Sequence, residues 1–208
     1  MRDVTSTVYT FDELSNEAKE RARDWWRTGY DGFDHEYIYD DAATVANIFG
    51  FDICQTRKTL MNGSSRYKPT IYWSGFYGQG DGACFEGTYA YKKGAVAAIK
   101  KYAPKDDDLH SIAVALQEMQ APFFYKLTGR VKQRGHYNHE RSMECSLDYP
   151  DNYSRALPED DFTDICADFA HWIYKRLEEE HEYQMSDECI DDALVANEYE
   201  FTEEGALA

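Results

Sequence analysis

The stretch "WSGFYGQGDGACFEG", Trp73 to Gly87, gathers the glycines, polar tips and aromatic rings from which a phosphate or cofactor cradle can be built. Gly78, Gly80 and Ala83 satisfy G-x-G-x-x-A, the dinucleotide fingerprint. That motif works only where a helix opens at its end and turns its amides toward a pyrophosphate. The continuation "CFEGTYAY" is β-like and no β-α-β unit surrounds it, so dinucleotide chemistry does not follow. Nor does the chain contain the G-x-x-x-x-G-K-[ST] of a P-loop. A tight connection between two strands remains, with glycine supplying positive φ. On it, Trp73, Tyr77, Gln79, Asp81 and Glu86 are candidate ligand-binding residues, because function concentrates on loops.

Other residue types capable of chemistry lack partners in the sequence. His136 and His139 form an H-x-x-H, which on a strand points the two rings to opposite faces. In a turn they can converge, with Cys145 as a distant third ligand, but the spacing matches no recognised zinc pattern. Cys84 with a histidine is a conceivable nucleophile pair, with nothing in the sequence to join them. The five cysteines, Cys54, Cys84, Cys145, Cys166 and Cys189, are scattered without a C-x-x-C. They read as small apolar residues in a reducing compartment. No catalytic residue, metal site or cofactor is predicted.

The strongest signal is the placement of charge. The net charge is −17, yet residues 1–150 hold 21 acidic and 19 basic side chains, a net of −2. Residues 151–208 hold 18 acidic and 3 basic, a net of −15. The acid lies on periodic segments rather than on a tail. In "PEDDFTDICADFAHWIYKRLEEEHEY", Phe162, Ile165, Cys166, Phe169, Trp172, Ile173 and Leu177 recur at helical spacing and form one apolar stripe. Asp161, Asp164 and Asp168 share the opposite side, with Asp160 beside them. Glu178, Glu179 and Glu180 crowd the far end, where the helix dipole disfavours negative charge, which points to a role outside helix stability. Asp191 and Asp192 continue the series on a shorter helix capped by Ser186, whose buried face holds Ile190, Leu194 and Val195. Duplex DNA carries one negative charge per about 1.7 Å of axis, and rows of carboxylates on rigid helices can imitate that to a phosphate-binding protein. A solvated helix face is the plain alternative.

The elements that must position these residues read as α+β: an antiparallel sheet with helices packed on one face and acidic C-terminal helices. The order is an opening strand "MRDVTSTVYTF", a helix capped by Ser15, and a helix from about Asp34 to Phe49 that stops at Gly50. The strands "FDICQTRK", "RYKPTIYWSGF" and "ACFEGTYAYKKG" follow, then helices over Gly94–Tyr102 and Asp106–Gln120. "FYKLTGRVKQRGHYNHERSMECSLDY" is a hairpin turning near Gly135. Its basic residues, Lys126, Arg130, Lys132, Arg134 and Arg141, are expected to meet the protein's own acids or solvent rather than RNA, since overall negative charge repels nucleic acid. The final helices are followed by an edge strand in "EYEFTEEG". The chain, 1–208, is expected to form a single α+β domain, with a near-neutral body at 1–150 and an acidic helical part at 151–208. No apolar run approaches a membrane span and the N-terminus lacks the build of a signal peptide, so a cytoplasmic location is expected.

The segments "YTFDELSNEAKERARDWW", "IYWSGFYGQGDGACFEG" and "ANEYEFTEEG" resemble a family of small uncharacterised proteins of bacteriophages and prophages, some labelled antitoxins of toxin–antitoxin systems. The resemblance implies a phage-encoded accessory protein in the bacterial host cytoplasm, and transfers no site residues. Two readings stand. In the first, an interaction protein uses Asp160, Asp161, Asp164, Asp168, Glu178, Glu179, Glu180, Asp191 and Asp192 to occupy a bacterial nucleic-acid-binding protein, without binding DNA or membrane itself. In the second, a nucleotide-binding, small-molecule-binding or enzymatic domain is built on the hairpin 73–87. Charge segregation favours the first.

Overall fold

The computed structural model describes residues 7–30, 32–59, 63–150 and 156–208. In chain order it runs β1 (Tyr9–Thr10), a 3-10 turn (Phe11–Glu13), α1 (Asn16–Gly29), α2 (Glu36–Phe49), β2 (Phe51–Ile53) and β3 (Gln55–Thr59). Then come β4 (Ser65–Pro69), β5 (Ile71–Ser74), β6 (Gly82–Phe85), β7 (Gly87–Ala90), α3 (Ala95–Tyr102) and α4 (Asp107–Gln120). β8 (Thr128–Gln133), β9 (Met143–Asp148), α5 (Glu159–Gln184), α6 (Asp187–Ala196) and β10 (Glu200–Phe201) complete it. The fold is α+β, and among the described residues no helix is long and apolar enough to cross a membrane.

The chain forms two compact units: a terminal unit of Met1–Asp34 with Glu178–Ala208, and a central unit of His35–Leu177. The step in composition near residue 150 is therefore not where the units part. Redrawn on these bounds, the terminal unit holds 20 acidic and 5 basic residues and the central unit 19 and 17. The terminal unit thus carries −15 and the central unit −2.

In the central unit, β2, β7, β8 and β9 form an antiparallel sheet in the order β2-β7-β8-β9. Alternation puts Phe51, Tyr89, Val131, Met143 and Leu147 on a buried face, while Asp52, Thr88, Arg130, Lys132 and Glu144 face solvent. The stripe of α5 covers the buried face. Phe51 stacks on Phe162 and Phe169 at 6.1 and 6.0 Å, and Phe85 meets Phe169 edge-on at 5.4 Å. Burying each such ring contributes about 1.5–3 kcal/mol. Gly129 leaves room for this packing, since a Cβ would lie 2.6 Å from Phe162 Cζ. α2 buries Ile38, Ala42, Val45, Ala46 and Phe49, and ends, as anticipated, at Gly50 with φ 99°.

The strands expected as continuous runs are each interrupted at one residue, and the three interruptions meet. Cys54 N–H donates to Glu86 O (2.8 Å), Glu86 N–H to Thr70 O (3.0 Å), and Thr70 N–H to Cys54 O (2.7 Å). At this three-way junction the stretches exchange neighbours: β2 pairs with β7, β3 with β4, and β5 with β6. The cycle satisfies the backbone groups that a change of ladder would orphan.

The terminal unit has its own core of Phe11, Leu14, Ala18, Ala22, Ile190, Leu194 and Phe201. Ser15 and Ser186 cap α1 and α6, accepting from Ala18 N–H and Cys189 N–H at 3.3 Å each. Of the expected opening strand, Tyr9–Thr10 pairs with β10, and residues 1–6 lie outside the described residues. Val195, expected inside, is 47% exposed: Ile190 and Leu194 already fill the inner face of α6.

Candidate functional site

The acids of the terminal unit differ in burial and in the cations they meet. Arg23 of α1 donates from Nε to Asp191 Oδ1 and from its NH2 nitrogen to Asp191 Oδ2, each at 2.7 Å. Its NH1 nitrogen lies 2.5 Å from Glu20 and 3.4 Å from Asp187. Arg27 pairs with Asp24 at 3.1 Å and with Asp187. These carboxylates, Asp191 foremost, hold the Arg23 guanidinium above its ordinary pKa. Asp191 is thus a structural acid that ties α6 to α1. Asp192 and Glu179 are exposed, while Glu178 and Glu180 are half-buried, Glu180 accepting from Gln184 Nε2 at 2.5 Å.

In the central unit, Asp160, Asp161, Asp164 and Asp168 are exposed on α5, opposite its buried stripe as anticipated. Three of them line a cleft of about 550 Å³ against α4: Asp161, Asp164 and Asp168, facing Glu118 over an apolar floor of Met119, Phe123 and Ile165. A further cleft of about 300 Å³ includes Asp168 again, with Asp108, His171 and Trp172. Arg141 reaches Asp164 and Lys175 reaches Asp108 loosely, both at 3.7 Å. Burial raises the Asp168 pKa, and repulsion from Asp164, one turn away, adds to it. The arrangement suits a cationic side chain with an apolar stem.

The glycine-rich hairpin is organised around its own aspartate. Asp81 Oδ2 accepts from Tyr77 N–H (3.0 Å) and Gly78 N–H (2.6 Å). A Cβ on Gly75 would fall 2.6 Å from that carboxylate, and Gly75 and Gly80 adopt φ 35° and 96°. Trp73 stacks on Phe76 at 4.9 Å, and Asn138 Nδ2 donates to Trp73 O at 3.1 Å. Asp81 and Trp73 therefore serve the turn, whereas Tyr77 (88% exposed) and Gln79 stand at its tip and Glu86 sits at the junction.

His139 lies in the β8–β9 turn, where Nδ1 accepts from Arg141 N–H at 3.1 Å. Among the described residues no three His, Cys, Asp or Glu side chains are placed to hold a metal ion. Burial pushes the Cys84 thiol up to about 11, which leaves little thiolate for nucleophilic work at neutral pH. Arg134 and Arg141 of the basic hairpin meet Glu144 (2.5 Å) and Asp164, the internal pairing anticipated for that segment.

One feature escaped the sequence. Trp25, Trp26, Tyr30 and Tyr199, together with Gly29 and Gly32, line a pocket of about 300 Å³ in the terminal unit. The doublet Trp25-Trp26, with Tyr30 four positions after the second, was the available signal. It reads as an inner helix face, but both indoles are only half-buried.

The fold and charge define an α+β protein whose acid is concentrated in a helical terminal unit. Residues 35–187 match the family described as Domain of unknown function (DUF8835), and the chain belongs to it. The match begins at His35, where the central unit also begins. No curated protein and no solved structure matches the chain.

Proposed function

We propose that this is a phage-encoded accessory protein that binds a bacterial nucleic-acid-binding factor, a defence complex or a toxin, and blocks it by presenting acidic helices in place of nucleic acid. The observation that carries this reading is the concentration of a −15 charge in the terminal unit. Arg23 and Arg27 of that unit hold carboxylates of α1 and α6, while Glu179 and Asp192 are exposed. Glu178, Glu179, Glu180 and Asp192 would contact the partner's Lys and Arg there. Asp160, Asp161, Asp164 and Asp168 would do so in the central unit. Association through such surfaces is fast and salt-sensitive. The resemblance to phage and prophage proteins supports a setting in the bacterial host cytoplasm.

The test is capture from bacterial lysate at low salt, followed by elution with competing duplex DNA. Release of a nucleic-acid-binding protein by DNA is expected, together with loss of capture by a variant carrying Asp161→Lys, Asp164→Lys and Asp168→Lys or by one carrying Glu178→Lys, Glu179→Lys and Glu180→Lys. A captured protein indifferent to DNA and to both variants would remove the mimicry reading.

A further inference from the structure

The aromatic pocket of the terminal unit is a site that the acidic-surface reading does not use. Trp25, Trp26 and Tyr199 set three ring planes steeply against one another. Trp25 to Trp26 is 6.4 Å at 64°, Trp25 to Tyr199 5.4 Å at 72°, and Trp26 to Tyr199 5.9 Å at 72°. Tyr30 adds a fourth ring, 6.0 Å from Trp26. Rings at these distances and angles pack edge to face, a rigid cluster, and beside them lies a space of about 300 Å³ that they line. That is at the lower end of the size of ligand pockets, enough for a head group rather than a cofactor.

The walls are held in place before any ligand arrives. The Tyr30 hydroxyl donates to Gln184 Oε1 at 2.5 Å. Gln184 Nε2 donates to Asp34 O at 2.8 Å, and Asp34 N–H returns to Gln184 Oε1 at 3.3 Å. Trp25 is backed by Phe201 at 6.2 Å, a residue of the buried core. Preorganisation of this kind lowers the entropic cost of binding.

Charge decides what such a box prefers. An aromatic face is electron-rich, and a cation over it is attracted more strongly as water is excluded. This unit already displays the interaction at Phe11, which Lys19 Nζ approaches to 5.1 Å and Arg23 to 5.8 Å. Among the described residues no Lys or Arg is placed over the four rings of the pocket in the same way. Glu198 and Glu200 flank Tyr199 in the chain, and the unit carries −15 overall. We infer that the pocket formed by Trp25, Trp26, Tyr30 and Tyr199 binds an organic cation, the guanidinium of an arginine side chain or a quaternary ammonium head group.

Gly29 offers a selective way to close the pocket. It is helical and lines the pocket, and a Cβ there would meet no atom within 4 Å. Gly29→Leu therefore fills the space without disturbing the fold, which circular dichroism checks. The experiment follows the Trp25 and Trp26 indole N–H resonances of the full chain during titration with choline, with N-acetyl-arginine amide, and with 3,3-dimethyl-1-butanol, the uncharged isostere of choline. Saturable shifts are expected with at least one cation, and binding of the isostere about five- to tenfold weaker than that of choline if choline is the better ligand. The shifts should vanish in Gly29→Leu and weaken in Trp26→Leu, which removes one ring face. A response to arginine amide alone assigns the site to a protein partner's side chain; a response to choline alone assigns it to a small quaternary amine. Equal binding of the neutral isostere and choline without a response to arginine amide, shifts that persist in both variants, or no saturable response to either cation would overturn the inference. None of these outcomes bears on DNA-competed capture, so the two proposals fail separately.

Discussion

Arg23 and Asp191, 168 positions apart in the chain, form a two-pronged ion pair with both N–O distances at 2.7 Å. The pair separates two neighbours that look alike in sequence: Asp191 is bound within the protein, and Asp192 is exposed. A row of acidic residues is therefore not a row of equivalent contacts. The Arg23 side chain is 14% exposed, and Asp191 accepts from both its Nε and NH2 nitrogens, so losing Asp191 leaves those two donors without their acceptor.

Asp191→Ala should lower stability by about 1.5–3 kcal/mol, the range for a charge-assisted hydrogen-bonded pair. Asp192→Ala should change stability little, as exposed substitutions do, within about 0.5 kcal/mol. Chemical denaturation of the two variants side by side checks this. Equal losses would mean that the ion pair does not hold α6 to α1.

Asp168→Asn should make the protein more stable at neutral pH while weakening the proposed partner contact. The folded protein raises the pKa of Asp168 above that of an ordinary aspartate, so folding disfavours its charged form. Stability from this group is full below the ordinary aspartate value and falls as pH rises through the folded pKa. The variant should match the parent at about pH 3 and exceed it in Tm at about pH 7. A Tm gain that is the same at both pH values would contradict the titration.

Asp81→Ala should loosen the hairpin tip without unfolding the protein. It removes the acceptor of the Tyr77 and Gly78 amides, at a cost of about 1 kcal/mol per exposed hydrogen bond. Hydrogen exchange at those two amides should accelerate while the amides of β8 stay protected. Unchanged protection at Tyr77 and Gly78 would show that the backbone holds the turn unaided.

Gly129→Ala should destabilise the central unit by about 1–3 kcal/mol, the usual cost of overpacking a filled core. The added methyl would meet Phe162 Cζ at 2.6 Å. Combining it with Phe162→Leu should cost less than the sum of the two single changes, because the clash and the ring disappear together. Strict additivity in denaturation midpoints would place the clash elsewhere.

The thiols should separate by burial. Cys54 is exposed and should alkylate first with iodoacetamide, whereas buried Cys84 and Cys166 should resist until the protein unfolds. For Cys84 a pKa of about 11 slows the reaction further. Peptide mass mapping over time measures the order, and early modification of Cys84 would contradict its burial.

Local pattern was enough for much of this molecule. The 3.6-residue recurrence from Phe162 to Leu177 determined that α5 is a helix and which face is buried, and all seven residues of that stripe are buried. Ser15, Ser186 and Gly50 marked helix ends through the hydrogen bonds and positive φ that those positions require. The exposed Asp row on α5 followed from the same periodicity.

Only the tertiary structure decided what depends on segments distant in the chain. The junction of Cys54, Thr70 and Glu86 is a ring of backbone hydrogen bonds, indifferent to side-chain identity and so silent in the sequence. The chain's two ends meet in one unit through β1 and β10, which moves the charge boundary from near residue 150 to Leu177/Glu178. The same closure sets Tyr199 against Trp25 and Trp26, and Asp191 against Arg23. Periodicity reports which face a residue takes; which residue it meets there is fixed by long-range packing, and the charge surface and the aromatic pocket both rest on that.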